Sequence, residues 1–137
     1  MLKEKDYCDY DTCVALKKLG YKENTLAYYT SEGFFHWRRA YIYDVAIPDL
    51  AKSSNKELYK HVLDAVSLYE AQKWMREKHN LHIEITYSPS CWTGKIYDLK
   101  EWKYIKGFTF FESFEDALHT LIKEAVKILK EKQYDNI

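Results

Sequence analysis

Apolar residues recur at helical spacing near both ends of the chain and in its middle, and the stretches between them alternate. Near the N-terminus, Tyr10, Cys13, Ala15, Leu16 and Leu19 form a loose stripe that predicts a helix from Tyr7 to Leu19. Asp6 is the expected cap, with Asp9 in a capping-box-like position near the positive end of the helix dipole. Lys17 and Lys18 suit the last turn. Gly20 sits where a left-handed residue closes a helix, and Tyr21 where an apolar contact returns to Leu16.

Two aromatic runs follow, Leu26 to Thr30 and Phe34 to Ile47, separated by Ser31-Glu32-Gly33. They predict a hairpin with a bulge. In the second run Phe35, Trp37, Arg39, Tyr41, Tyr43 and Val45 share one face, and Phe34, His36, Arg38, Ala40, Ile42 and Asp44 share the other. Pro48 ends the strand. Residues 49 to 80 read as helical in two pieces. Ser53-Ser54-Asn55 offer caps for a piece holding Leu58, Val62 and Leu63, and Ser67 with Glu70 is a capping box opening Leu68 to His79. Asn80 can close that helix in the left-handed region. The period then becomes two, with Ile83, Ile85 and Tyr87 on one face and His82, Glu84 and Thr86 on the other. Lys95 to Leu99 and Tyr104 to Phe111 are two further strands, joined around Lys100-Glu101. Ser113 with Asp116 starts the last helix, whose apolar face includes Phe114, Leu118, Leu121, Ile122 and Ala125.

Clustered strands with flanking helices predict an α+β fold. It is a two-layer arrangement of a mainly antiparallel sheet of four to five strands with helices packed on one face. The expected core contains Leu16, Leu19, Trp74, Met75, Ile83, Ile85, Leu118, Leu121, Ile122 and Ala125. A length of 137 residues fits one domain, residues 1–137. Lys+Arg and Asp+Glu are 21 each, so the whole chain lacks a basic nucleic-acid footprint. Met1 to Asp6 has no apolar signal core, and no stretch approaches the roughly 20 apolar residues of a membrane span. Cys8, Cys13 and Cys91 are odd in number and lack a C-x-x-C pair, against a secreted disulfide framework. The expectation is a cytoplasmic protein with no membrane partner.

Candidate chemistry is sparse. His79 and His82 are the one close histidine pair, but they straddle a helix end and a strand start, short of the three or four ligands zinc needs. His79 reads more simply as a cation at a helix C-terminus. Neither a nucleophile motif nor a Gly-rich phosphate loop occurs. Catalytic residues, metal and cofactor are therefore all expected to be none. What stands out is the interleaving of rings with cations. It runs through His36-Trp37-Arg38-Arg39-Ala40-Tyr41-Ile42-Tyr43, and again from Lys95-Ile96-Tyr97 through Trp102-Lys103-Tyr104-Ile105-Lys106. Rings on a sheet can stack bases while cations meet phosphates, and the same pattern supplies hot spots for a protein. The candidate binding residues are His36, Arg38, Arg39, Tyr41, Tyr97, Trp102 and Lys103.

Three segments resemble a known group. Tyr7 to Tyr21 is similar to the opening of small uncharacterised proteins from phage and prophage regions of gut bacteria, which often read Y-x-x-A-x-x-L-K-E-x-G-F. Ala65 to Ile85, with Lys73-Trp74-Met75-Arg76-Glu77-Lys78-His79, resembles their central A-x-K-W-L-R-E-x-H segment and the strand after it. Ser113-Phe114-Glu115-Asp116-Ala117-Leu118 looks like their closing S-Y-E-E-A-L helix. Val66 stands where that group usually has proline. The matching positions are mostly caps and core, so the resemblance implies a mobile-element origin and a cytoplasmic setting, and no particular chemistry. The expected function is non-enzymatic binding of a host or phage protein through the sheet face. Single-stranded nucleic-acid binding on the same face is the alternative, and an edge strand leaves a homodimer open.

Overall fold

The computed structural model describes residues 3–23, 25–37 and 63–135. The chain falls into two compact units, residues 9–66 and residues 1–8 with 67–137.

In the first unit, α1 spans Tyr10–Lys18. Its cap is Asp9, whose side chain accepts from the Thr12 amide at 2.9 Å. The sequence placed Asp6 there. Asp6 instead accepts from the Lys3 amide at 2.7 Å in a short 3-10 turn, Glu4–Asp6, and extended Tyr7 follows. The C-terminal end closes as the sequence predicts. Tyr21 N donates to Leu16 O, Gly20 N donates to Lys17 O, and Gly20 has φ 107°. That double bond pattern is a Schellman motif.

Strands β1 (Ala27–Tyr29) and β2 (Phe35–Trp37) form the expected hairpin. Gly33, at φ 89°, supplies the left-handed residue of its turn. Strand β3 (Leu63–Ala65) pairs antiparallel with the other edge of β1, giving the order β2-β1-β3. Leu63 therefore leaves the helix the sequence assigned it. Its neighbour Asp64 is half-buried while Leu63 and Ala65 are buried, an alternation that suits a strand. The rest of that predicted helical piece, residues 49–62, lies outside the described residues. Cys13, Leu16, Ala27 and Val66 are buried, and Cys13 Sγ accepts from the Val66 amide at 3.4 Å.

The second unit begins with a bridge between Tyr7 and Ser67. Helix α2 spans Leu68–His79 within its predicted bounds. Ser67 Oγ accepts from the Glu70 amide at 3.1 Å, and Asn80 closes the helix at φ 57°. Three antiparallel strands follow: β4 (Leu81–Ser88), β5 (Cys91–Asp98) and β6 (Lys103–Phe111), in the order β4-β5-β6. Helix α3 spans Phe114–Asp135, with Ser113 Oγ accepting from the Asp116 amide at 3.0 Å. Strand β5 starts at Cys91 rather than at Lys95, because the Pro89-Ser90 turn is tight and every residue after it pairs with β4.

The fold is α+β, with antiparallel sheets. The described strands form two sheets of three, and the expected single sheet of four to five strands is not seen among them. Alternation marks a strand but not its partner, which explains the difference. In the second unit Leu81, Ile83, Gly94 and Ile96 bury one sheet face, and Trp74, Met75, Leu118, Leu121, Ile122 and Ala125 bury the helices. Leu19 and Ile85, also expected in the core, are half-buried. A Cβ on Gly94 would lie 2.5 Å from Leu121 Cδ2 and 2.8 Å from its Cγ, so the helix rests directly on backbone. Gln72 Nε2 donates to Ile83 O at 2.9 Å and ties α2 to β4. Lys106 of β6 and Lys127 both reach Glu124 of α3, at 3.0 and 3.3 Å. Burial pushes the Glu124 carboxyl up, and the two lysines outweigh it and hold it below its ordinary value.

His79 departs from the expected cation. Its ring packs edge-on to Trp74 at 4.6 Å, and its Nε2 is buried without a hydrogen-bond partner. Burial, and then the Lys132 charge, lower its pKa.

Two outcomes follow from this packing. Gly94→Ala destabilises the protein by about 1–3 kcal/mol in urea unfolding, because fully buried Leu121 has no room to retreat. The folded state also binds a proton at His79 less readily than the unfolded chain does. Its contribution is intact above the unfolded value of about 6.5 and is lost as pH falls below it. His79→Gln should flatten that part of the stability profile between about pH 7.5 and pH 5. An unchanged profile would show that the ring titrates normally.

Candidate interaction surface on the second sheet

Because side chains alternate, the face of β4-β5-β6 turned away from α2 and α3 carries His82, Glu84 and Thr86 from β4, and Thr93, Lys95 and Tyr97 from β5. From β6 it takes Tyr104 and Gly107, which pair with Tyr97 and Lys95. Register then aligns a row of rings. His82 and Tyr97 are 6.4 Å apart, and Tyr97 meets Tyr104 edge-on at 5.9 Å. Such cross-strand pairs contribute roughly 0.2–1 kcal/mol each and fix ring orientation. The Tyr104 hydroxyl lies over Gly107, where a Cβ would come within 2.6 Å of it. Beside the rings the Thr86 and Thr93 hydroxyls meet at 2.7 Å.

The β5–β6 turn extends this face. Asp98 Oδ1 accepts from the Lys100 and Glu101 amides at 2.9 and 3.1 Å. The Glu101 amide does most to hold the Asp98 carboxyl below the usual carboxylate range. Burial opposes it, and the Lys100 amide, Lys132 and Lys103 add to it. The turn delivers Trp102 at φ 58° and 92% exposed. Left-handed backbone costs a non-glycine residue roughly 1–2 kcal/mol, and a ring this exposed recovers little by packing. Leu99 of the same turn and Tyr104 at the start of β6 are exposed as well. Lys103 pairs with Glu101 at 2.9 Å, which raises its pKa.

Tyr97 lies on the outer face and Trp102 in the turn, but Lys103 pairs with Asp98, which faces α3, so register puts Lys103 on the helix side of the sheet and apart from Tyr97. His36 lies in the other unit, on β2, stacked on Tyr28 at 5.6 Å. Arg38, Arg39 and Tyr41 lie outside the described residues. His82, Leu99 and Tyr104 belong to the surface but were not among the residues selected from the sequence. The period-two pattern already turns His82 outward, but only the strand register shows that it lines up with Tyr97.

Strand β6 is an edge. Its pairing with β5 shifts register at two places, and Phe110, at φ 67°, is 82% exposed within one shift. Bulges together with Lys103 and Lys106 blunt an edge against strand addition, so the ring-bearing face rather than the edge is suited to contact. Among the described residues no three His, Cys, Asp or Glu side chains converge on a possible metal site, and no helix is long and apolar enough to cross a membrane. The chain matches no protein-family model, no curated protein and no solved structure.

The strain at Trp102 has a measurable sign. Trp102→Gly should leave stability unchanged or raise it by up to about 1 kcal/mol, since glycine accepts positive φ. A loss of more than about 1 kcal/mol would make the ring a structural element. Asp98→Ala should cost roughly 1–2 kcal/mol in the same unfolding assay, because two turn amides lose their acceptor.

Proposed function

We propose that this chain is a non-enzymatic accessory protein of phage or prophage type that binds a protein partner through the outer face of β4-β5-β6 and the β5–β6 turn. The observation that carries the reading is Trp102, held in strained backbone and almost wholly in solvent. Tyrosine and tryptophan dominate protein hot spots, and Tyr97 and Tyr104 meet edge-on on the two strands that its turn joins. The charges on the face favour a protein over single-stranded nucleic acid. Lys95, which faces outward from β5, stands opposite Glu84, so a phosphate chain would meet a carboxylate beside that cation. The mobile-element origin and cytoplasmic setting rest on the resemblance of the segments quoted above.

The test compares tagged wild-type protein with Trp102→Ala/Tyr104→Ala in nuclease-treated bacterial lysate, read by mass spectrometry. The expected result is a protein captured by the wild type and reduced at least about tenfold by the double substitution, as truncating two hot-spot rings would do. Equal capture by both forms would refute this surface. Capture of nucleic acid alone from untreated lysate, lost at high salt, would replace the protein reading with the nucleic-acid one.

A further inference from the structure

The second unit also holds a pocket of about 280 Å³ between the first turns of α2 and α3. It lies on the helical side of the sheet, and the proposed partner surface does not use it. Leu68 and Leu118 are buried and give it an apolar base. Tyr69 and Phe114 give it two exposed rings. Phe114 is braced edge-on by Trp92 at 5.7 Å, and Trp92 in turn lies 5.0 Å from Tyr87. Asp6, Glu70 and Glu115 complete the lining, and no lysine or arginine lines it.

We infer that this pocket binds a small organic ammonium ion with an apolar body. Ring faces attract ammonium groups, and carboxylates at the same rim add charge complementarity. An anion is disfavoured although two helix N-termini open here. The Ser67 and Ser113 hydroxyls already occupy cap amides, and three carboxylates outweigh the two helix ends, each worth about half a positive charge. A bare metal ion is disfavoured because the carboxylates do not converge into a ligand set. Size completes the argument. Pockets for drug-sized ligands run from about 300 to 1,000 Å³, so this one suits a short alkylamine.

The test is a titration with n-hexylammonium chloride, followed through the backbone amide NMR spectrum of the whole chain. Saturable shifts are expected at Leu68 to Glu70 and Phe114 to Leu118. Neutral 1-hexanol should bind at least about tenfold more weakly, since it lacks the charge. Glu70→Gln/Glu115→Gln, which keeps the shape of both side chains, should weaken hexylammonium binding several-fold, with the thermal midpoint checking that it folds. Trp102→Ala should leave the titration unchanged, which separates this pocket from the partner surface. Equal affinity for 1-hexanol, unchanged binding by the double glutamine variant, or no saturable shift would each overturn the inference.

Discussion

The seating of Leu121 on the bare Cα of Gly94 sets the arrangement of the second unit. It lets α3 approach β5 closely enough for Leu118, Leu121, Ile122 and Ala125 to share one core with Ile83 and Ile96. With both helices committed to that side, the hydrogen-bonded register turns His82, Tyr97 and Tyr104 to the other. Gly107 repeats the device outward, where the missing side chain leaves room for the Tyr104 hydroxyl. One glycine thus seats the core helix on the sheet, and strand register sets the row of rings on the other face.

Charge and strain distinguish the outer surface from ordinary solvated sheet. Lys95 stands opposite Glu84, so the face presents rings rather than a field. The Asp98 turn holds left-handed Trp102 in place, with Lys132 of α3 at 3.8 Å from the Asp98 carboxylate as a further tie. Backbone strain of this kind persists where the surrounding structure over-determines it, and it concentrates at functional sites. Strained, exposed tryptophan is what links the fold to the proposed binding.

Local chemistry was legible in the sequence. The Ser67 and Ser113 caps, the left-handed Asn80, the Gly20 closure and the Gly33 hairpin each depend on residues within a few positions of one another, and each forms as read. Long-range pairing was not legible. Leu63 looked helical by its spacing, and only its pairing with Tyr29 makes it a strand. Asp6 looked like the cap and Asp9 like its capping-box partner, but the chain is extended at Tyr7, which bridges to Ser67, and the helix starts only after Asp9. Glu70 and Glu115 read as ordinary first-turn residues when each helix is taken alone, and nothing local brings them to one pocket.

The account stands or falls on whether the surface around Trp102 touches a protein. Site-specific photo-crosslinking in bacterial cells, with a photoreactive side chain at position 102 and a control at exposed Lys127 on α3, tests this directly. The account predicts a discrete protein adduct from position 102 and none from position 127. Adducts of equal yield from both positions, or adducts to nucleic acid alone, would contradict it.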